Sequence, residues 1–356
     1  MSDFPQVDVS ESDATSRKPM PVLVEVTRGD HVESVHRGAI AIADGAGAII
    51  ASVGDIDWKV YPRSAIKPLQ AIPVLRSGAA DKFSLDEADI ALLCASHSSA
   101  PKHVTRAEAI LQRIGLTPDA LCCGAHWPLD PAVARDLARA DGTPTKAHNN
   151  CSGKHSGMLA TAVATGSDPA RYAEADGEVQ ATILKLLRAF CGTEAVGDVP
   201  GVDGCGAPNW PISVRGLALG FAHFAARSGP ASDYADEIER IAAACAAHPD
   251  LVAGDGRFDT RVMLAAGRAA LIKTGAEGVY CGALPGLGIG FAVKIGDGAG
   301  RASELVVREV LMSAGIALGD AVADISDVRN WAGDLVGEMR VTSAADPLLS
   351  ELARRR

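Results

Sequence analysis

The sequence predicts an α+β protein whose antiparallel sheet is built from both chain ends, with flanking helices and a helical lobe between them. Three observations predict it. Segments with β-branched content and alternation open the chain, helical spacing fills its middle, and apolar Gly-bounded segments return near its end. At 356 residues the chain can bury a substantial core, and with aromatics at only 4% that core is mostly Ala, Val, Leu and Ile.

In chain order, the stretch MSDFPQVDVSESDATSRKP is polar and acidic and lacks the basic and apolar parts of a signal peptide. It is expected to be a disordered tail over residues 1–20, and the expected compartment is the cytoplasm. VLVEVTRGD, HVESVHRGAIAIAD and GAGAIIASVGD read as three strands of a meander, with Asp44-Gly45 marking a hairpin turn. Lys67 onward, KPLQAIPVLRSG, has helical spacing despite two prolines. SLDE, Ser84 to Glu87, offers a capping box before ADIALLCAS. Further helices are predicted in APKHVTRAEAILQRIG, DPAVARDLARADG, GKHSGMLATAVATG, EVQATILKLLRAFCG and SDYADEIERIAAACAAHP. GVYCGAL and GIGFAVKIGD then read as strands, RASELVVREVLMSAGIALGD as a helix and EMRVT as a last strand. After the tail, residues 21–356 form one domain, with a sheet lobe over about 21–83 and 270–350 and a helical lobe over about 84–269.

The totals exclude several classes. No run of about eighteen apolar residues is present, so no membrane span is expected. A net charge of −10 without a Lys/Arg cluster, apart from RRR at the C-terminus, argues against nucleic acid as a partner. The eight cysteines are expected to be reduced, which leaves packing, metal binding or catalysis for them. GLGIG and DGAG share only glycine content with phosphate loops and read as turns.

YPRSAIKPLQ places Ser64 and Lys67 three residues apart at a helix start, on one face. A neutral lysine there could take the serine proton and make the hydroxyl a nucleophile, provided its pKa falls from about 10.4. Penicillin-recognising enzymes use this S-x-x-K device, and the motif alone recurs by chance. Lys273-Thr274-Gly275 opens the C-terminal strand region as a K-T-G element does. CASHSSA, with Ser96, stands where those enzymes carry an S-x-N loop but lacks the asparagine. HNNCSGKHSGM carries Cys151, Lys154 and His155 after Asn149 and Asn150, and VDGCGAPN carries Asp203 and Cys205. Cations are disfavoured at helix N-termini, so Lys154 is expected to be recruited to a site. Neither Cys151 nor Cys205 belongs to a C-x-x-C pair, and their spacing alone leaves buried thiol or metal ligand open.

Together, YPRSAIKP, CASHSSA, HNNCSGKHSGM, DGCGAPN and KTGAEGV resemble the class 3, rhizobial-type L-asparaginases, the asparaginase II family, from about Val22 to the C-terminal region. The resemblance implies a fold similar to serine β-lactamases and serine-dependent glutaminases. It implies hydrolysis of L-asparagine to L-aspartate and ammonia by a homodimer. It implies two serine–lysine pairs, Ser64 with Lys67 and Ser96 with Lys273, and a zinc site of Cys151, Lys154 and Cys205. Arg63, Asp203, Asn149 and His155 are expected to contact substrate. The competing readings are a serine-dependent glutaminase, a penicillin-recognising hydrolase, and a catalytically inactive metal- or amino-acid-binding relative.

Overall fold

The computed structural model describes residues 18–355, so most of the expected 1–20 tail lies outside the described residues. The meander forms as predicted: β1 (Val22–Arg28), β2 (His31–Asp44) and β3 (Ile49–Val53) pair antiparallel. The chain end supplies β4 (Leu271–Thr274), β5 (Val279–Leu284), β6 (Ile289–Ile295), β7 (Asp327–Arg329) and β8 (Leu335–Val341). These complete an eight-stranded antiparallel sheet in the order β7-β8-β1-β2-β6-β5-β4, with β3 paired to β2. Strand β2 joins the two ends of the chain. Its first half pairs with β1 (Glu25 opposite Val35) and its second half with β6 (Phe291 opposite Ile42). Strand β4, which carries Lys273, is an edge of the sheet.

Every residue of β5 and β6 is buried, so the centre of the sheet is covered on both faces. Helix α6 (Val214–Ala226) packs on β2, β5 and β6, and helix α9 (Gly300–Ser313) on β5, β6 and β8. The sequence reading has no helix at 214–226. VRGLALGFAHFAA is apolar almost all round, because it lies between the sheet and helix α5 (Glu178–Cys191), and so carries little of the one-sided periodicity of a surface helix. Helix α10 (Asp346–Ala353), also unforeseen, packs against β3.

The middle of the chain is helical. Helix α1 (Lys67–Arg76) lies at its centre, against α2 (Glu87–Leu93), α4 (Ser152–Thr165), α5 (Glu178–Cys191) and α7 (Ala235–Ala247). Helix α3 (Pro101–Arg113) backs α4, and α8 (Phe258–Ala266) leads into β4. The capping box of α2 is Asp86 with Asp89, not Ser84 with Glu87. Ser84 adopts a left-handed conformation (φ +50°) and closes the preceding turn onto Asp81, so it cannot serve as the N-cap. Asp89 is fully buried and holds ion pairs with Arg106 and Arg113, which tie α3 to the start of α2. Among the described residues no helix is long and apolar enough to cross a membrane.

Candidate active site

A cavity of about 370 Å³ opens where edge strand β4 meets the helical lobe. Its wall includes Arg63, Ser64, Ser96, Asp203 and Arg257. With Cys151 and Gly275 also on the wall, all five motif strings converge on one space.

Ser64 sits in a 3₁₀ turn, Arg63–Ile66, that runs directly into α1. Arg63 is left-handed (φ +52°), which turns the chain sharply before the serine. The K-T-G element approaches this turn closely. A Cβ on Gly275 would lie 2.6 Å from the Pro62 carbonyl oxygen and 3.2 Å from the Ala65 amide nitrogen. Only glycine lets the end of β4 lie against the serine turn, a physical reason for that residue in KTG.

Lys67 is the first residue of α1 and is buried. Its Nζ reaches across to the end of α2, donating to the Ala95 carbonyl at 2.5 Å and to Ser96 Oγ at 3.0 Å. It also donates to Cys151 Sγ at 3.1 Å. None of its hydrogen bonds goes to Ser64, a wall residue whose hydroxyl makes no hydrogen bond among the described residues. Lys273, fully buried on β4, donates to the Thr274 carbonyl at 2.9 Å and makes no hydrogen bond to Ser96. The expected couples, Ser64–Lys67 and Ser96–Lys273, are therefore not directly bonded pairs. The lysine three residues after Ser64 grips the other serine, because its long side chain extends under the helix start rather than back along it. Burial lowers the Lys273 pKa to about 8, with Asp259 opposing and Lys67 and Arg257 reinforcing the shift.

Ser96 is held by its backbone, donating to Val252 O at 2.9 Å. His97 behind it is buried and kept neutral by burial and by neighbouring His103. It accepts from the Ser99 amide through Nδ1 and pairs with Ser152 Oγ through Nε2, at 3.2 and 2.9 Å. Its role is to fix the serine loop against α4.

HNNCSGKHSGM forms the entry to α4. Asn149 is buried, accepts from the Cys151 amide at 2.9 Å and donates to the Gly124 carbonyl at 2.6 Å. A Cβ on Gly153 would lie 2.2 Å from the Leu92 carbonyl oxygen, so that glycine brings α4 against α2 and Cys151 close to Ser96. DGCGAPN is a tight hairpin: Asp203 donates to Ala207 O and accepts from the Gly206 amide, between short paired strands Gly201–Val202 and Pro208–Asn209. Asp203 accepts from Arg63 Nε at 2.6 Å. Burial alone would raise its pKa, but Lys154 and Arg63 outweigh that and lower it.

Lys154 in the first turn of α4 is buried and donates to Cys205 Sγ at 3.0 Å. The Cys205 thiol bonds to Cys151, which keeps the Cys151 side as the thiolate of the pair, helped by Lys67 and Lys154 against the cost of burial. The same bond pushes the Cys205 pKa up. Lys154 is held protonated, since Cys205 and Cys151 overcome its burial. Among the described residues no group of three or more His, Cys, Asp or Glu side chains is placed to hold a metal. The convergent donor set is two thiols and an amine, a soft set that suits zinc once deprotonated.

His155 is not on the cavity wall. One residue beyond Lys154 on the helix, it turns to the packed face, where it is fully buried and bonds Tyr172 OH at 2.8 Å. Its pKa is lowered by burial and by Lys154 and Lys67. Among the wall residues, Arg257 and Leu129 escaped the sequence reading. Arg257 lies in GDGRFD, a Gly-containing loop before a helix, which gives no chemical signature by itself.

The sequence profile of the L-asparaginase II family matches residues 24–341. No curated protein matches the chain. Among solved structures, a crystal structure of Mglu is similar at 15% identity, covering 80% of this chain and 68% of that one, with a TM-score of 0.37. Its native form gives 16% identity, 81% and 66% coverage and a TM-score of 0.38, and its glutamate form 17%, 80%, 62% and 0.36. The chain spans about two thirds of the length of these structures.

Proposed function

The chain belongs to the L-asparaginase II family, and from that premise we propose that it is an L-asparaginase, releasing L-aspartate and ammonia by serine catalysis. The family makes it an amidohydrolase of the asparaginase type. The single observation that carries the finer reading is one cavity lined by two serine hydroxyls, with a buried lysine amine bonded to one of them. The split sheet, the S-x-x-K turn at the first helix and K-T-G on an edge strand support a serine β-lactamase/glutaminase-like fold. A cytoplasmic homodimer belongs to the same proposal.

In the proposed reaction, Ser64 Oγ attacks the side-chain amide carbon of asparagine. Its proton passes towards the Lys67 amine, through the Ser96 hydroxyl that Lys67 holds. The tetrahedral intermediate collapses, the C–N bond breaks, and ammonia leaves with that proton. Water then attacks the acyl-serine ester, with Lys273 accepting its proton, and the ester C–O bond breaks as that proton returns to Ser64 Oγ, giving aspartate and the free Ser64 hydroxyl. Backbone N–H groups around the serine turn would stabilise the oxyanion, worth about 3 kcal/mol per donor in comparable hydrolases.

Cys151, Cys205 and Lys154 would hold zinc, and the shared proton between the two thiols fits a site that loses protons on binding. A zinc ion there would supply a fixed positive charge next to the cavity. Asp203 and Asn149 would shape the substrate side of that wall.

The Lys67–Ser96 bond favours a second reading, in which Ser96 carries the acyl group. Ammonia release from L-asparagine, L-glutamine and a β-lactam, followed by mass spectrometry of the trapped acyl-enzyme, tests both. An acylated Ser64 peptide and asparagine preference uphold the proposal. An acylated Ser96 selects the second reading, and no acylation at either serine sinks both.

A further inference from the structure

We propose that Arg257 is the specificity anchor for this site, a guanidinium that takes the α-carboxylate of an amino-acid substrate. The inference rests on the amidohydrolase reading above and adds what the enzyme recognises. Two guanidinium groups line the cavity, Arg63 and Arg257. Arg63 is already occupied, its Nε 2.6 Å from Asp203 Oδ1. Arg257 makes no side-chain hydrogen bond and has no carboxylate within ion-pairing distance among the described residues. Its charge is felt at longer range by Lys273, Tyr280 and Glu304. A cation that is part-buried, unpaired and facing a polar cavity is set to receive an anion, and a planar guanidinium suits a carboxylate's two oxygens.

The backbone places Arg257 with respect to both catalytic walls. Arg257 is the N-cap of α8, its amide bonded to Gly254 O at 3.3 Å and its carbonyl accepting from Arg261 at 2.9 Å. On one side, the loop before it accepts the Ser96 amide at Val252 O. On the other, Asp259 in the first turn of α8 accepts from the Thr274 amide at 2.9 Å and from Tyr280 OH at 2.6 Å, which locks α8 to β4 and β5. Arg257 is thus registered against Ser96 and against the Thr274–Gly275 wall at once. Asp203, the one carboxylate on the wall among the described residues, lies with Arg63 and gives the cavity an opposite pole for an α-ammonium.

Calorimetric binding of L-aspartate and of β-alanine, which is aspartate without its α-carboxylate, tests the anchor independently of turnover. The purified full-length enzyme and its Arg257→Gln and Arg257→Lys variants are compared, each checked for an unchanged melting temperature. The wild type should prefer L-aspartate by about 100-fold, and Arg257→Gln should reduce that preference to within about tenfold by weakening aspartate alone. Arg257→Lys should fall between. Equal weakening of both ligands, or an unchanged preference, overturns the proposal. Ammonia release from L-asparagine by the wild type is measured alongside. Its absence counts against the amidohydrolase reading, while the binding comparison still decides the role of Arg257.

Discussion

Lys67 Nζ lies 3.0 Å from Ser96 Oγ and 3.1 Å from Cys151 Sγ, so one buried amine joins the candidate proton relay to the candidate metal site. The two chemistries share a wall because Gly153 lets α4 and α2 approach closely enough for one lysine to touch both. Loss of that amine should therefore disturb both the relay and the metal site.

Lys67→Met keeps the bulk of the side chain and removes its charge and donors. Turnover of L-asparagine should fall by about 10²–10⁴, the range for a lost acid–base group, with the circular dichroism spectrum unchanged. Lys67→Arg should not restore it, because a guanidinium stays protonated and does not fit the same three acceptors. Activity within tenfold of wild type in Lys67→Met would rule out a proton-transfer role.

The buried Lys273, with its pKa lowered to about 8 mainly by burial, sets an expected pH dependence. As an acceptor of protons it works when neutral, so kcat/KM should rise with pH through about 8. The stability sign follows from proton counts. Between pH 8 and about 10.4 the unfolded chain holds the proton that the folded chain has lost, so folding gains stability as pH rises through that window. The contribution is complete above the unfolded value and is lost as pH falls through 8. In Lys273→Met the slope of unfolding free energy between pH 8 and 10 should be flatter than in the wild type. Identical slopes would mean that Lys273 is not charged differently in the two states.

Much of the architecture was legible because local patterning and tertiary packing agree. The meander of β1 to β3 alternates, β5 and β6 are short apolar runs bounded by glycine, and α3 and α5 show one-sided spacing. Helix α6 was not legible, since a helix packed between sheet and helices loses the periodicity that advertises one. The motif strings located the wall residues Ser64, Ser96, Asn149, Cys151, Asp203 and Cys205. Sequence spacing could not tell which amine would meet which hydroxyl. Lys67 reaches Ser96 across a helix–helix contact, and Arg257 has no neighbours in sequence that mark it as a site residue.

The Cys151, Lys154 and Cys205 set makes a prediction about metal content. Elemental analysis of the wild type should find about one zinc per chain, as expected for a tight structural or substrate-positioning site. Cys151→Ala should lose it, and dialysis against a chelator should lower the melting temperature of the wild type but not of that variant. Stoichiometric zinc in Cys151→Ala would place the metal elsewhere or remove it from the proposal.

The last prediction concerns the contact that seats the sheet on α6. Gly290 in β6 faces that helix so closely that a Cβ there would lie 2.0 Å from the Ala222 amide nitrogen, 2.3 Å from the Phe221 carbonyl carbon and 2.5 Å from the Ala218 carbonyl oxygen. All three are backbone atoms, so no side-chain rotation relieves the clash and the helix itself must shift. Gly290→Ala should destabilise the protein by about 1–3 kcal/mol or more, the cost of overpacking a well-filled core. Gly286→Ala, in the turn between β5 and β6, meets nothing within 4 Å and should change stability by less than about 0.5 kcal/mol. Denaturant unfolding of the two variants checks this. Equal stability for both would show that α6 moves away from the sheet without cost, and that the covered centre of the sheet does not depend on this contact.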